Sequence, residues 1–328
     1  MPLNVSLAQQ RVVVLGTGGT IAGRASSAAD GVGYTAAQVT VQDLLASIPA
    51  YEGLALDVEQ VAQVDSKDMT LGVWQTLARR LAFHLARPDV GAVVVTHGTD
   101  TLEETAFFLQ CVLDAQKPVV LTCAMRPATA LVPDGPQNLV DAMVLARHPG
   151  TCGVLIVCAG RVHGAGEVAK AHTYRLDAFD SGDAGPLATV GEGLVRQFRA
   201  WPEPSGLLKP GAPAWDRVMN AHELPGVVVL TSHADADATQ VNALLDHSAS
   251  HPASAVRGMV VAGTGNGTVH ARLEEALSRA QEQGVRVVRT TRCAAGPVIP
   301  HAGQVLTDVR QLSPVKARIA LALELLGE

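Results

Sequence analysis

Short uninterrupted runs of aliphatic and β-branched residues recur along this chain and alternate with longer segments of helical period. Four runs lie in the first half: RVVVLG (11–16), GAVVVT (91–96), PVVLTCA (118–124) and CGVLIVC (152–158). Such runs are typical of strands covered on both faces in a parallel sheet. Between them, residues 70–86 and 101–115, and less cleanly 135–148, repeat apolar residues every three or four positions. The alternation predicts βαβ units.

The same pattern resumes after a proline-rich stretch. Residues 201–215, WPEPSGLLKPGAPAW, hold four prolines and two glycines with little periodicity, which is typical of a linker. Three strand-like runs (226–231, 258–263 and 285–291) and a closing helix (313–327) follow it. We therefore predict two α/β domains. The larger covers residues 1–200, with a mainly parallel sheet and flanking helices. A linker at 201–225 and a smaller parallel α/β domain at 226–328 complete the chain.

Composition and charge narrow the class of ligand. The 328 residues are 48% hydrophobic and 17% charged, with a formal net charge of -6. Without a Lys/Arg run there is no basic face for nucleic acid or an acidic membrane, so a small molecule is the expected ligand. We find no apolar run near the roughly 20 residues of a membrane span and no secretory leader pattern, and we expect a cytoplasmic protein. Five cysteines without a C-x-x-C pair predict neither a disulfide framework nor a zinc site, and Cys111, Cys123 and Cys158 resemble small apolar core residues.

Ligands of open parallel sheets bind at the carboxyl ends of the strands, where this chain places hydroxyl groups. In VVVTHGTDTLEET (93–105), the T-x-x-E of Thr101 to Glu104 predicts a capping box. Thr99 and Asp100 lie in the loop before that helix, whose free N–H groups favour an anion such as a carboxylate. Asp100 is either a second capping acceptor or a functional group. We expect His97 to be a hydrogen-bonded structural residue.

The first strand ends in GTGGTIAG (16–23), which begins like a dinucleotide-binding fingerprint. Ile21 stands where the third glycine would be and no acidic residue ends a second strand, which argues against a nucleotide-binding oxidoreductase. His247 and His251 lack the glutamate of a zinc protease and are expected in an exposed loop. Thr20 remains as the first reactive side chain beyond glycines that admit a substrate, Gly19 among them.

A threonine nucleophile needs a neighbouring base, and a tyrosine or lysine needs a lowered pKa to act as one at neutral pH. Tyr34 lies in DGVGYTAAQVT, a glycine-bearing stretch of the kind that closes as a lid. Lys170 follows the CGVLIVC strand. It is a base, an electrostatic partner of Asp100, or a solvated surface lysine.

Six motifs, in this order, resemble those of the bacterial-type L-asparaginases and glutaminase-asparaginases over nearly the whole chain. They are GTGGTIAG, VDSKDM (64–69), THGTDTLEET (96–105), AMRPATALVPDGPQNL (124–139), EVAKAHTYRLDAF (167–179) and AGTGNG (262–267). The resemblance implies hydrolysis of an amino-acid side-chain amide, without a metal or an organic cofactor. It also implies a homotetramer built from intimate dimers, in which the smaller domain completes the site of a neighbouring subunit.

The resemblance also implies a role for each matching residue. Thr20 is the nucleophile, activated through Tyr34, and forms a β-aspartyl ester as ammonia leaves. Thr99 activates the water that resolves the ester, with Asp100 and Lys170 sharing charge and protons. The substrate is held by Ser66, Thr99, Asp100 and the backbone at Gly19 and Gly98. Backbone N–H groups of the two Gly-Thr loops are the expected oxyanion donors.

Three departures from the family pattern concern substrate preference. Residues 289–304, RTTRCAAGPVIPHAGQ, lack the acidic residue that many relatives have there. Thr268 is shorter than the asparagine found in some relatives, and Lys67 adds a charge beside Ser66 where some have glutamine. L-asparagine is the expected substrate, with comparable use of L-glutamine as the alternative. A non-catalytic amino-acid sensor would have lost Thr20 or Tyr34, and an amidotransferase subunit would need a further domain.

Overall fold

The computed structural model describes residues 10–27, 33–46, 48, 54–203 and 211–327. The chain divides into two compact units, Met1–Met219 and Asn220–Glu328. Among the described residues, no helix is long and apolar enough to cross a membrane.

The first unit is built on a mixed, mainly parallel sheet. The strands of this unit are β1 (Arg11–Gly18), β2 (Arg24–Ala25), β3 (Tyr34–Thr35), β4 (Leu56–Val64), β5 (Val90–Thr96), β6 (Val119–Thr122), β7 (Val154–Cys158), β8 (Arg161–Gly164), β9 (Ala169–Lys170), β10 (Phe179–Asp180), β11 (Ala188–Gly191) and β12 (Leu194–Gln197); β2 pairs only with β3, and β9 only with β10. Its helices are α1 (Val41–Ala46), α2 (Leu71–Leu85), α3 (Leu102–Val112), α4 (Gly135–Ala146) and α5 (Pro213–Asn220), with 3-10 turns at Thr20–Ala22, Ser66–Asp68 and Gly182–Ala184.

The large sheet has the order β12-β11-β8-β7-β6-β5-β1-β4. Strands β4, β1, β5, β6 and β7 run parallel, whereas β8, β11 and β12 continue the sheet antiparallel. All seven residues of β5 are buried, as expected for a central strand with apolar side chains on both faces. One face packs against α1 and α4 in a single apolar cluster. The predicted fold class is confirmed.

The order of the strands brings three loops to one edge of the sheet. β1 lies between β4 and β5 and is parallel to both, so the chain leaves all three strands at the same edge. Gly16 lies opposite Thr96, and the Thr17 hydroxyl donates to the Thr96 carbonyl at 2.8 Å. The loops after β1, β4 and β5 carry Thr20, Ser66 and Thr99.

The second unit is a small parallel α/β layer. Its strands are β13 (Gly226–Thr231), β14 (Val256–Gly263) and β15 (Arg286–Thr291), in the order β13-β14-β15. Its helices are α6 (Thr239–Ser250), α7 (Ala271–Glu282) and α8 (Pro314–Gly327), with a 3-10 turn at Pro252–Ser254. Helices α6 and α7 pack on one face of the sheet and α8 on the other.

Several features differ from the sequence prediction. Strand β4 and the antiparallel β8, β11 and β12 were not predicted, because none of them is a long apolar run. Within the segment 201–225, residues 204–210 lie outside the described residues, and Pro213–Asn220 is helix α5. It is helical because Trp215, Val218 and Met219 are buried and the Gln75 amide donates to the Val218 carbonyl at 2.8 Å.

The predicted histidine loop is also helix. His247 lies in α6 and His251 follows its end, with their rings stacked at 4.5 Å and both residues exposed. Cys123 and Cys158 are buried as the sequence indicated, and Cys111 is half-buried.

Candidate active site

Thr20 and Tyr34 form the first reactive pair. Thr20 begins the 3-10 turn directly after β1 and is 6% exposed. The two-stranded ribbon of β2 and β3, in which Tyr34 lies opposite Ala25, folds back over this turn. It brings the Tyr34 hydroxyl to 2.6 Å from Thr20 Oγ1. A hydrogen bond this short provides a direct proton path between the two oxygens.

The second group joins the loop after β5 to a distant strand. Lys170 Nζ donates to Thr99 Oγ1 at 2.8 Å and to Asp100 Oδ1 at 2.6 Å. The Lys170 side chain is 18% exposed and that of Asp100 is 54% exposed, so the pair lies at the margin of the solvent. Asp100 therefore binds the lysine at the end of β9. Of the three readings left open for Lys170, this contact is the one expected of a partner of Asp100 and not of a solvated surface lysine, while a role as a base stays a prediction.

The helix start at α3 differs from the predicted capping box. Thr101 occupies the N-cap position of α3 but makes no side-chain capping bond. Its hydroxyl instead donates to the Ser66 carbonyl at 2.7 Å, which ties α3 to the loop after β4. Glu103, in the first turn, accepts the Lys170 backbone N–H at 3.1 Å. Thr101 and Glu103 therefore bind neighbouring segments of the site, and the Thr101 side chain does not cap α3.

Ser66 connects the loops after β4 and β5. It is 2% exposed, and its Oγ accepts the Asp100 backbone N–H at 3.1 Å. Together with the bond from Thr101 to its carbonyl, this contact holds Asp100 and Thr101, the two residues after Thr99, against Ser66.

Two glycines allow the loops that carry Thr20 and Thr99 to touch. Gly19 has a φ of +81°, and a Cβ there would lie 2.2 Å from the Cα of Gly98. A Cβ on Gly98 would lie 2.5 Å from Ser66 Oγ. The Gly19 N–H donates to the Val64 carbonyl at 3.0 Å. Three loops therefore meet backbone to backbone, and any side chain at either glycine would separate the threonines.

The electrostatics of Tyr34 differ from the expectation. Burial raises the pKa of Tyr34 above its ordinary value, and the negative charges of Asp100 and Asp65 raise it further, while the hydrogen bond to Thr20 acts in the opposite sense. The lowered pKa expected for a tyrosine base is thus wrong for this residue. The phenol is neutral at neutral pH, so it can donate one proton while it accepts another.

Asp65 is a charged residue near the site that the sequence reasoning did not single out. It caps the Ser66–Asp68 turn and lies between Val64, which binds the Thr20 loop, and Ser66, which binds the Thr99 loop. Its position directly before Ser66 in the VDSKDM motif was the available signal.

Lys67, noted as an added charge beside Ser66, is turned to solvent. Its side chain is 61% exposed and forms ion pairs with Asp68 and, at 3.7 Å, with Asp65. The hydrogen bond that the Lys67 ammonium donates to the Asp68 carboxylate raises the pKa of Lys67. The positive charge of Lys67 is therefore paired with the carboxylates of Asp65 and Asp68.

His97 is buried behind the second threonine, in agreement with the sequence interpretation. Its Nδ1 lies 2.7 Å from the Gly98 carbonyl, and its Nε2 lies 2.9 Å from Thr105 Oγ1. The residue is fully buried, which lowers the pKa of His97 to about 4. The ring is neutral at physiological pH and holds two hydrogen bonds.

Within the part of the chain that the structure describes, no three His, Cys, Asp or Glu side chains converge as metal ligands. The groups that do converge are two hydroxyl-bearing loops, a neutral phenol and a lysine–carboxylate pair. Such an arrangement is suited to acyl transfer through an oxygen nucleophile.

A two-domain α/β fold with paired threonines at the ends of neighbouring strands defines a class of amide-cleaving hydrolases. Within that class, the family model described as "Asparaginase, N-terminal" matches residues 11–202, and that of the "Glutaminase/Asparaginase C-terminal domain" matches residues 226–327. The chain belongs to the asparaginase family.

Individual relatives cover nearly the whole chain. It is 35% identical to "L-asparaginase 2" of Escherichia coli (strain K12), over 98% of this chain and 90% of that protein. It is 34% identical to the "Glutaminase-asparaginase" of Pseudomonas fluorescens biotype A, over 94% of this chain and 84% of that protein. A solved structure named "Probable Cytoplasmic L-asparaginase from Campylobacter jejuni" superposes with a TM-score of 0.86 at 34% identity, covering 96% of this chain and 95% of the other.

Proposed function

We propose that this protein hydrolyses the side-chain amide of L-asparagine to L-aspartate and ammonia. The observation that carries the proposal is the 2.6 Å contact between Thr20 and Tyr34, beside a second threonine bonded to Lys170. One pair supplies a nucleophile with a proton path, and the other supplies a charged group for the second half of the reaction.

In the first half-reaction, Thr20 Oγ1 attacks the amide carbon of the substrate. The Tyr34 hydroxyl accepts the threonine proton and passes its own proton to the departing nitrogen. The raised pKa of Tyr34 is compatible with this relay, since no standing phenolate is required. The C–N bond breaks, ammonia leaves, and a β-aspartyl ester of Thr20 remains.

The second half-reaction hydrolyses the ester. Thr99 orients a water molecule toward the ester carbon, and the Lys170–Asp100 pair takes up charge and protons as the water adds. The ester C–O bond then breaks, aspartate is released and Thr20 regains its proton. In both steps, backbone N–H groups of the two Gly-Thr loops stabilise the oxyanion. Each such donor typically lowers the activation free energy by about 3–4 kcal/mol.

Recognition of the substrate rests on Ser66, Asp100, and the backbone at Gly19 and Gly98. Ser66 and the Thr99 loop bind the α-carboxylate, and Asp100 binds the α-ammonium group. Asp65 adds a second negative charge on this side, from within the same chain. This charge is a candidate substitute for the acidic residue that the segment 289–304 lacks.

A second candidate is a glutaminase-asparaginase with comparable activity on L-glutamine. Asparagine and glutamine differ by one methylene, which a pocket discriminates by about 1–3 kcal/mol. Relatives of both names match this chain at nearly equal identity. A non-catalytic amino-acid binder is less favoured, because the Thr20–Tyr34 hydrogen bond is a catalytic arrangement that binding alone does not need.

We also propose a cytoplasmic homotetramer of intimate dimers, with residues 1–200 carrying the threonines, 201–225 linking, and 226–328 as the second domain. The similarity to a solved L-asparaginase that is named as probably cytoplasmic supports the location. Sedimentation of the purified protein tests the assembly.

The activity is tested by ammonia release from L-asparagine and L-glutamine in parallel, over a wide range of concentrations. Rapid release from asparagine with little from glutamine supports the main proposal, and equal release supports the second candidate. No release from either amide would refute both. Thr20→Ala is expected to abolish acylation. Full activity of Thr20→Ala together with an inactive Thr99→Ala would show that the roles are assigned to the wrong threonines.

A further inference from the structure

A chain of three hydrogen bonds runs from the interior of the first unit to the loop of the second threonine. Trp74 Nε1 donates to Thr105 Oγ1 at 2.8 Å, Thr105 Oγ1 lies 2.9 Å from His97 Nε2, and His97 Nδ1 lies 2.7 Å from the Gly98 carbonyl. All the side chains involved are buried, and Trp74 is held by stacking on Phe108 at 4.8 Å.

The direction of each bond follows from the chemistry of its ends. The Gly98 carbonyl can only accept, so His97 Nδ1 must carry the hydrogen. The ring is neutral, because burial lowers the pKa of His97 to about 4, so Nε2 is an acceptor. The Thr105 hydroxyl therefore donates to Nε2, and its lone pair receives the indole N–H of Trp74. Thr105 and His97 each donate one hydrogen bond and accept one, Trp74 only donates, and the Gly98 carbonyl only accepts.

The bond to Gly98 fixes a peptide plane. The Gly98 carbonyl and the Thr99 N–H belong to the same planar trans peptide, in which they point in opposite directions. A carbonyl drawn inward to His97 turns the Thr99 N–H outward. On the other side of the loop, Ser66 holds Asp100 N–H and Thr101 Oγ1 at 3.1 and 2.7 Å.

We infer that His97 is a positioning residue for Thr99: held in its Nδ1–H tautomer by Thr105 and Trp74, it donates to the Gly98 carbonyl and so fixes the orientation of the Gly98–Thr99 peptide. His97 touches neither substrate nor reacting atoms. It acts through Thr99 in the step that resolves the acyl-enzyme, and the inference in this form rests on the proposed function.

Two substitutions at His97 separate the two bonds. The amide nitrogen of asparagine can take the place of Nδ1 and keep the bond to the Gly98 carbonyl, whereas glutamine reaches the position of Nε2 and keeps the bond to Thr105. His97→Gln is expected to slow hydrolysis of the acyl-enzyme by up to about 100-fold, the cost of a misplacement near 1 Å. His97→Asn is expected to retain more activity than His97→Gln.

Substitutions at Thr105, the threonine in this series of hydrogen bonds, test the inference in the same way. Thr105→Val removes the hydroxyl that sets the tautomer and is expected to slow the same step, whereas Thr105→Ser keeps the hydroxyl and is expected to restore it. Thr151→Val is the matched control, since Thr151 is also buried and contacts a histidine, His148, at 3.3 Å, but lies just before β7 at the opposite edge of the sheet.

The decisive readout is the ammonia time course at rapid mixing. The Gly98–Thr99 peptide serves the oxyanion in both half-reactions, but Thr99 orients the water only in the second, so the second half-reaction is slowed more and the acyl-enzyme accumulates. His97→Gln and Thr105→Val therefore release a burst of ammonia approaching one equivalent per subunit before a slow steady state. Mass spectrometry of the quenched protein should detect the β-aspartyl adduct. A merely structural role would slow both half-reactions alike and give no burst, which would overturn the inference.

A second readout uses the wild-type protein and does not depend on activity. The ¹⁵N chemical shifts of the His97 ring, assigned in the wild-type protein by through-bond correlation from the His97 backbone, should show a protonated Nδ1 and a bare Nε2. A protonated Nε2 would overturn the inference even if the variants failed to fold. If the wild-type protein released no ammonia from either amide, the proposed function would fail, while this spectrum would still decide whether His97 holds the Gly98 carbonyl.

Discussion

The contact between Gly19 and Gly98 supports a quantitative prediction for Gly19→Ala. The new Cβ would lie 2.2 Å from the Gly98 Cα, and ordinary contact begins near 3.4 Å, so the two loops must separate by about 1.2 Å. A displacement of about 1 Å near reacting groups typically costs on the order of 100-fold in rate. The φ of +81° adds strain of about 1–2 kcal/mol for a residue with a Cβ.

Gly150→Ala separates the strain from the clash. Gly150 has a φ of +79°, but a Cβ there would meet nothing within 4 Å. We expect both variants to lose about 1–2 kcal/mol of stability in urea unfolding, with a further loss for Gly19→Ala. Only Gly19→Ala should lose about 100-fold in kcat/KM for asparagine. Activity of Gly19→Ala within about threefold of wild type would refute the reasoning that the threonine loops must touch.

Three further outcomes are expected. Tyr34→Phe removes the hydroxyl 2.6 Å from Thr20 Oγ1 and should slow ammonia release in a single turnover by about 10²–10⁴-fold; an unchanged rate would exclude the relay. Lys67→Gln should leave kcat/KM for asparagine within about twofold, since the ammonium is exposed and paired with carboxylates, and a larger change in steady-state assays would mean that its charge reaches the substrate. Burial lowers the pKa of His97 from an ordinary 6.5 to about 4 in the folded protein. Between these two values the unfolded chain binds a proton that the folded protein does not, so the free energy of unfolding is highest above pH 6.5 and falls as the pH is lowered toward 4. Urea unfolding at pH 7.5 and 5 should show a loss of roughly 2 kcal/mol from this residue, absent in His97→Asn.

The elements that the sequence predicted well are those whose burial is nearly complete. Strands β1 and β5 consist of apolar residues covered on both faces, so their composition alone identifies them. Strand β4 was missed because it is an edge strand with Asp57 and Glu59 in it, and these carboxylates are matched by Arg11 at 2.7 Å and Arg80 at 2.6 Å. Charged residues within a short stretch of sequence argue against a buried strand. In β4 they are tolerated because residues distant in the sequence form ion pairs with them.

In the site, too, some features could be predicted from the sequence and others depend on contacts between distant residues. Thr20, Thr99 and Lys170 were singled out from their places after strands, and their roles came from the resemblance to family motifs. The structure brings Thr99 and Lys170 into direct contact. The raised pKa of Tyr34 could not be read from the sequence, because it depends on burial and on the carboxylates of Asp65 and Asp100. The same holds for Thr101, whose motif predicts a helix cap but whose hydroxyl finds the Ser66 carbonyl.

The bonds that join Lys170 to Thr99 and Asp100 span 71 and 70 positions of the chain, and the bond from Thr17 to Thr96 spans 79. Contacts of such long range form late in folding, because the entropy of closing large loops must be overcome before they contribute. Recovery of enzyme activity during refolding should therefore lag behind recovery of helix content. A newly made chain acquires its secondary structure well before it acquires the ability to react.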